Sequence, residues 1–193
     1  MKIKQGIILG AVLGLATSRM ALAEPTALDL IKRGDDYVGI QSKDKVVQIY
    51  SDKSVASLQP NVWHVEYYDP SVLPRITQVK FEAGQETAVA HPMHPFTLPA
   101  KPEQILDLSK ITVDSDRAAQ IAAAQPLLKG LNLRYSKITL EKGDSVPEWK
   151  VELWSAKVSD PTKDANVGDV RVSATDGSII QSNLHPGSAG GTE

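Results

Sequence analysis

Trp149-Lys150-Val151-Glu152-Leu153-Trp154 is the stretch on which the reading of this chain turns. Apolar and polar residues alternate in it, the period of a strand with one buried face. Trp149, Val151 and Leu153 share one face, and Lys150, Glu152 and Trp154 the other. An earlier stretch, Trp63-His64-Val65-Glu66-Tyr67-Tyr68, has the same form. It sets Trp63, Val65 and Tyr67 against His64, Glu66 and Tyr68. The match of Trp63 with Trp149, Val65 with Val151 and Tyr67 with Leu153 predicts one small unit used twice.

The flanking elements repeat in the same order. Thr26 to Arg33 predicts a short helix, with Thr26 and Asp29 at capping-box spacing and Gly34 as its stop. Strands are expected at Val46 to Tyr50, Trp63 to Tyr68 and Ile76 to Phe81. Residues 90–102 carry Pro92, Pro95, Pro99 and Pro102 and predict a stiff, extended linker. Asp114-Ser115-Asp116 then opens an alanine-rich helix over Arg117 to Gln125, ended by Pro126. Strands follow at Lys137 to Glu141, Trp149 to Trp154, Val170 to Ala174 and Ser178 to Gln181. Ser159 to Gly168 reads as a loop and Asp176-Gly177 as a hairpin-type turn. The expected fold class is α+β: two tandem units, 24–89 and 103–184, each with one helix packed on a small antiparallel sheet. Residues 185–193 read as a disordered tail by composition.

Residues 115–181 resemble a PepSY domain. The likeness lies in the alanine-rich helix, in Trp149-Lys150-Val151-Glu152-Leu153, and in Val170-Arg171-Val172-Ser173-Ala174-Thr175-Asp176-Gly177-Ser178-Ile179-Ile180. The last stretch is similar to the family's closing hairpin, although here the Asp stands directly beside the Gly. Trp63-x-Val65 and Phe81-Glu82-Ala83-Gly84 are a fainter version of the same pattern. The resemblance implies a helix-on-antiparallel-sheet module of exported or membrane-attached bacterial proteins, with a peptidase-inhibiting or regulatory binding role. It implies no catalytic residues and no cofactor.

Residues 1–23 have the form of an export signal. Lys2 and Lys4 precede an apolar run, Gly6 to Ala16, and Ala21-Leu22-Ala23 makes an A-x-A cleavage site. The run is short for a membrane span, which favours a cleaved signal over an uncleaved anchor. The expected location is periplasmic or secreted. Beyond this segment 18 basic residues face 23 acidic ones, a net of −5. A nucleic-acid partner needs a basic footprint, so this balance argues against one. It also argues against docking on anionic lipid. The chain has no cysteine, which rules out disulfides, thiolate nucleophiles and thiolate metal sites.

His91-Pro92-Met93-His94 offers two imidazoles and a thioether, donors suited to copper, zinc or nickel. His91, Met93 and His94 are therefore the candidate metal ligands. Against them stands the plainer reading of an exposed polar linker, since the prolines prevent helical presentation. Asp35-Asp36 and Asp114-Ser115-Asp116 lack the spacing of a calcium loop, and helix-terminal capping explains them. Glu66 and Glu152 hold matching positions on a solvated face, where cross-strand ion pairing is their expected use. G-x-S-x-G, H-E-x-x-H and S-x-x-K are all missing, so an enzyme is not expected. Tyr68 and Trp154 stand on the face opposite Trp63 and Trp149. They mark either a partner-binding surface or the place where two sheets pack together. The expected function is a non-enzymatic binding or regulatory role toward a protein or peptide, a peptidase among the candidates. The alternative is a metal or small-ligand sensor.

Overall fold

The computed structural model describes residues 25–92 and 99–190. The export segment, Met93, His94 and residues 191–193 lie outside that description.

Two short α-helices form where local chemistry starts and stops them. Helix α1, Ala27–Gly34, opens on the expected capping box: Thr26 Oγ1 accepts from Asp29 N, and Asp29 Oδ2 accepts from Thr26 N. It buries Leu30 and Ile31. Helix α2, Ser115–Ala123, buries Ala118, Ala119 and Ala122. Such small side chains let the helix lie close on the strands beneath it. The chain leaves the helix before Pro126, as the ring of a proline demands.

The described residues also form eight strands: β1 Val46–Ser51, β2 Val62–Tyr68, β3 Ile76–Glu82, β4 Gln85–Ala90, β5 Leu133–Lys142, β6 Pro147–Ala156, β7 Asp164–Ser173 and β8 Ile179–Leu184. They form one antiparallel sheet in the order β4-β3-β2-β1-β5-β6-β7-β8. This corrects the expected fold. There are not two tandem helix-on-sheet units joined by a linker, but one continuous sheet with one core. That core runs unbroken from Leu30, Ile31 and Val65 to Ala118, Trp149 and Leu153.

The physical reason lies at the seam. Separate units would leave β1 and β5 as edges with unpaired backbone groups next to the core, a costly arrangement. Instead Ile49 pairs with Leu140 and Tyr50 with Thr139. Past this short ladder, serine side chains carry the pairing on. Ile138 N donates to Ser51 Oγ at 2.9 Å, Ser136 N donates to Ser54 Oγ at 2.9 Å, and Ser54 N donates to Ser136 O at 2.8 Å. All three serines are buried.

Within the strands the alternation holds. Trp63, Val65, Tyr67, Trp149, Val151 and Leu153 are all buried on the helix side. Each signature tryptophan also satisfies its indole N–H there, Trp63 on Pro60 O at 3.0 Å and Trp149 on Val113 O at 2.7 Å. Tyr67 donates to Ile31 O at 2.9 Å and so ties β2 to α1.

Three other segments differ from expectation. Strand β4 follows a two-residue turn, Ala83-Gly84, in which both φ angles are positive, 47° and 74°. Alanine is a poor sign of such a turn, so the strand is not evident in the sequence. The expected loop over Ser159 to Gly168 is half strand, because β6 runs on to Ala156 and pairs it with Asp164. The expected disordered tail is ordered at 185–190: Pro186–Ala189 forms a 3-10 turn with Pro186 and Ala189 buried. In the Pro-rich stretch, Ala100 is buried and its N–H donates to Pro74 O at 2.9 Å.

Candidate functional site

The helices cover one face of the sheet; the other, here the outer face, is built from the polar positions of the same strands. Cross-strand register sorts them into rows. His64 pairs with Tyr50, Tyr50 with Thr139, Thr139 with Lys150 and Lys150 with Arg171, one row across five strands. One step along the strands, roughly 7 Å away, Glu66 pairs with Gln48, and Glu141 with Glu148. One step the other way, Lys137 pairs with Glu152 and Glu152 with Asp169. Cations thus lie between rows that carry carboxylates.

Two hydrogen-bonded clusters hold these side chains in place. In the first, Tyr50 and His64 stack with ring centroids 4.8 Å apart and planes 12° from parallel. His64 Nδ1 lies 3.2 Å from Gln78 Oε1, and Nε2 lies 3.3 Å from Asp52 Oδ1. Gln78 Nε2 donates to Tyr50 OH and to Glu66 Oε1, each at 2.9 Å. Burial pushes the Tyr50 phenol above its ordinary value, and the nearby Glu66 charge adds to this. In the second cluster Arg171 donates to Glu148 and, at 3.0 Å, to Glu141. Burial works against the guanidinium charge, but its hydrogen bonds to these two carboxylates, and their charge, outweigh it and hold Arg171 protonated more firmly than usual. Between the clusters lies a shallow depression of about 520 Å³, lined by Tyr50, Glu66, Lys137, Glu141, Lys150 and Glu152 among others.

Hydrogen bonds orient the groups of this face. Both His64 ring nitrogens are engaged, one by an amide oxygen and one by a carboxylate. A histidine acting as a general base needs one nitrogen within reach of the proton it removes.

The structure does not bring the two sequence-predicted partner residues together. Tyr68 and Trp154 are on the outer face and half-buried, but at opposite ends of the sheet. Antiparallel pairing of β1 with β5 is the cause: it turns one half end-for-end against the other, so matching positions point to opposite ends. Among the described residues there is one sheet, and no second sheet packs over either residue. Trp154 pairs instead with Tyr135 across β5 and β6, and the Lys53 ammonium lies over both rings, 4.7 Å from the Tyr135 centroid and 4.8 Å from that of Trp154. Tyr135 and Lys53 are absent from the sequence-based candidates. Running the alternation of β5 back by one step from Lys137 reaches Tyr135; nothing local singles out Lys53.

Of the candidate metal ligands, Met93 and His94 lie outside the described residues. His91 is bound elsewhere: its Nδ1 is 3.2 Å from Thr77 Oγ1, and Thr77 in turn donates to Asp69 Oδ2 at 2.6 Å. With its proton given to Asp69, the Thr77 hydroxyl is left to accept from His91. Among the described residues, no group of three or more His, Cys, Asp or Glu side chains is placed to hold a metal ion. Among the same residues, no helix is long and apolar enough to cross a membrane. Comparison with known proteins adds nothing to this geometry: no family model, no curated protein and no solved structure matches the chain.

Proposed function

We propose that this is an exported, non-enzymatic binding protein, related to PepSY domains, whose outer sheet face receives a protein or peptide partner. A peptidase is the partner class that the resemblance implies. Export rests on the signal-like segment before Glu24. The observation that carries the reading is that, among the described residues, both α-helices lie on the same side. Helices lie on one face of an eight-stranded sheet, while the opposite face keeps cationic and acidic rows and the Tyr135–Trp154 pair half-exposed. Complementary rows of charge fix register and raise the rate of encounter more than they raise affinity. Partly exposed aromatics supply the apolar contact that such a surface needs.

The test is affinity capture from an envelope extract with three purified baits: wild type, Lys137→Glu/Lys150→Glu and Trp154→Ala. The reading expects a partner held by wild type and lost from both variants. The same proteins held by all three baits, or by none, would count against it. A second reading, a small charged ligand held in the depression beside Tyr50, is favoured by that depression's volume of about 520 Å³. Thermal-shift screening with small anions, amines and metal salts separates the two, because only the second expects a shift without any macromolecule.

A further inference from the structure

Lys53 lies on the turn after β1, and that turn is clamped. Ser54 N donates to Ser136 O at 2.8 Å, and Ser54 Oγ accepts from Ser136 N at 2.9 Å. The clamp leaves the Lys53 ammonium 4.7 Å from the centre of the Tyr135 ring and 4.8 Å from that of Trp154. Both distances are within the range where a ring quadrupole attracts a cation, about 6 Å. Two strands present the rings side by side because Tyr135 and Trp154 are direct cross-strand partners. The result is a preformed pair of aromatic faces with a cation between them, and the cation is the chain's own.

We propose that Tyr135 and Trp154 form a cation-binding site, filled in the free protein by Lys53, which a lysine or arginine side chain of a partner polypeptide enters by displacing Lys53. This deepens the reading of the outer face as a partner surface and rests on it. Three observations point to a cationic occupant. The structure already places an ammonium there. Glu152, a carboxylate, stands one step along β6 from Trp154 on the same face. The chain beyond the export segment also carries an acidic excess, 23 acids against 18 bases, which complements a basic partner. Lys53 itself is an exposed residue on a long, rotamer-rich stem. It is ordered at an entropic cost and so is a weak tenant. A side chain delivered by a partner that makes other contacts on the face can replace it.

The experiment uses the purified protein and tetramethylammonium chloride, against sodium chloride at matched ionic strength. Trp63 and Trp149 are only 3% and 0% exposed, so a change in tryptophan emission reports Trp154. The methyl proton shift of the ammonium gives a second, independent signal through the ring currents. Removing the internal competitor in Lys53→Ser is expected to lower the half-saturating concentration about two- to fivefold. Adding Tyr135→Leu to that variant is expected to abolish the gain. A Lys53→Ser protein that binds no more tightly than wild type, by both signals, overturns the proposal. So does a gain that survives Tyr135→Leu. Because no macromolecular partner is involved, failure here leaves the capture experiment's result standing, and failure of capture leaves this site standing.

Discussion

Asp114 Oδ1 accepts a hydrogen bond from the backbone N–H of Leu28 at 3.3 Å, across 86 positions of sequence. The same oxygen caps its own helix by accepting from Ser115 N at 2.6 Å. Beside it, Ser115 Oγ accepts from Ala27 N at 3.1 Å in a buried contact. The first turns of α1 and α2 therefore meet, and the residues that start the second helix also satisfy orphan donors of the first. Replacing Asp114 with alanine removes an acceptor from both helices at once. The expected loss is about 1–2 kcal/mol by urea denaturation, the upper part of the range for one cap. Asp114→Asn keeps an acceptor oxygen and is expected to lose clearly less. Equal stability of all three proteins would show that the shared cap contributes nothing.

The seam between β1 and β5 leads to a second expectation. Ser51 Oγ is the acceptor for the buried Ile138 N–H, where the backbone ladder has already ended. In Ser51→Ala that donor is stranded, at a cost of about 1–3 kcal/mol. Because sheet and core cross the seam, both halves are expected to unfold in one transition. Trp63 and Trp149 lie on either side of it, so in a Trp154→Phe background Trp63→Phe and Trp149→Phe each leave one buried reporter in one half. Each variant is expected to show the same midpoint by its remaining tryptophan as by circular dichroism. Midpoints that part by probe within one variant would mean that the halves fold separately after all.

That seam also marks how far the sequence could be read. The two signature strands, their buried faces and the Thr26 cap are legible because period-2 alternation and capping are local signals. Whether two similar halves stand apart or fuse is decided by backbone pairing between Ile49 and Leu140, 91 positions apart, and by three serines that look like turn residues in sequence. No local pattern encodes that. The site suffers the same limit. Trp154 is visible as an aromatic on a polar face, yet its partner Tyr135 falls just outside the strand expected at Lys137 to Glu141. Lys53 reaches the rings only because Ser54 is fixed to Ser136. Tyr68 has the same sequence credentials as Trp154, and topology sends it to the far end of the sheet.

Glycine at 168 is required by both conformation and space. Its φ is +107°, and a Cβ there would lie 2.0 Å from Asn183 O and 2.8 Å from Leu184 Cα. Both contacts are backbone atoms of β8, which cannot swing aside without breaking the β7–β8 pairing. Gly168→Ala is expected to cost more than about 2 kcal/mol, since strain and clash combine. Gly130 is the internal control. Its φ is +87°, but a Cβ would meet nothing within 4 Å. Gly130→Ala should cost about 1–2 kcal/mol, the conformational part alone. Thermal or urea midpoints compare the two directly, and equal losses would remove the argument from crowding.

Asp69 is a buried carboxylate that makes this fold sensitive to acid. It is 4% exposed at the end of β2. Oδ1 accepts from Ser71 N at 3.0 Å and Ser71 Oγ at 2.5 Å, and Oδ2 accepts from Thr77 Oγ1 at 2.6 Å. Burial tends to raise the carboxyl's pKa, but the hydrogen bonds from Ser71 and Thr77 outweigh it and hold Asp69 well below the usual carboxylate range. A carboxylate whose pKa is lower folded than unfolded adds stability above its unfolded value, about 3.9. That stability is lost as pH falls through the folded value. Asp107, Asp160 and Asp176 are also held low, Asp176 at about 2, so acid weakens the protein through several groups. The difference between wild type and Asp69→Asn isolates one of them, because the others cancel. The gap in unfolding free energy is expected to be widest near pH 6–7 and to narrow steadily below pH about 4. A gap that stays constant from pH 7 to pH 2 would mean that the Asp69 charge is not what the Ser71 and Thr77 donors stabilise.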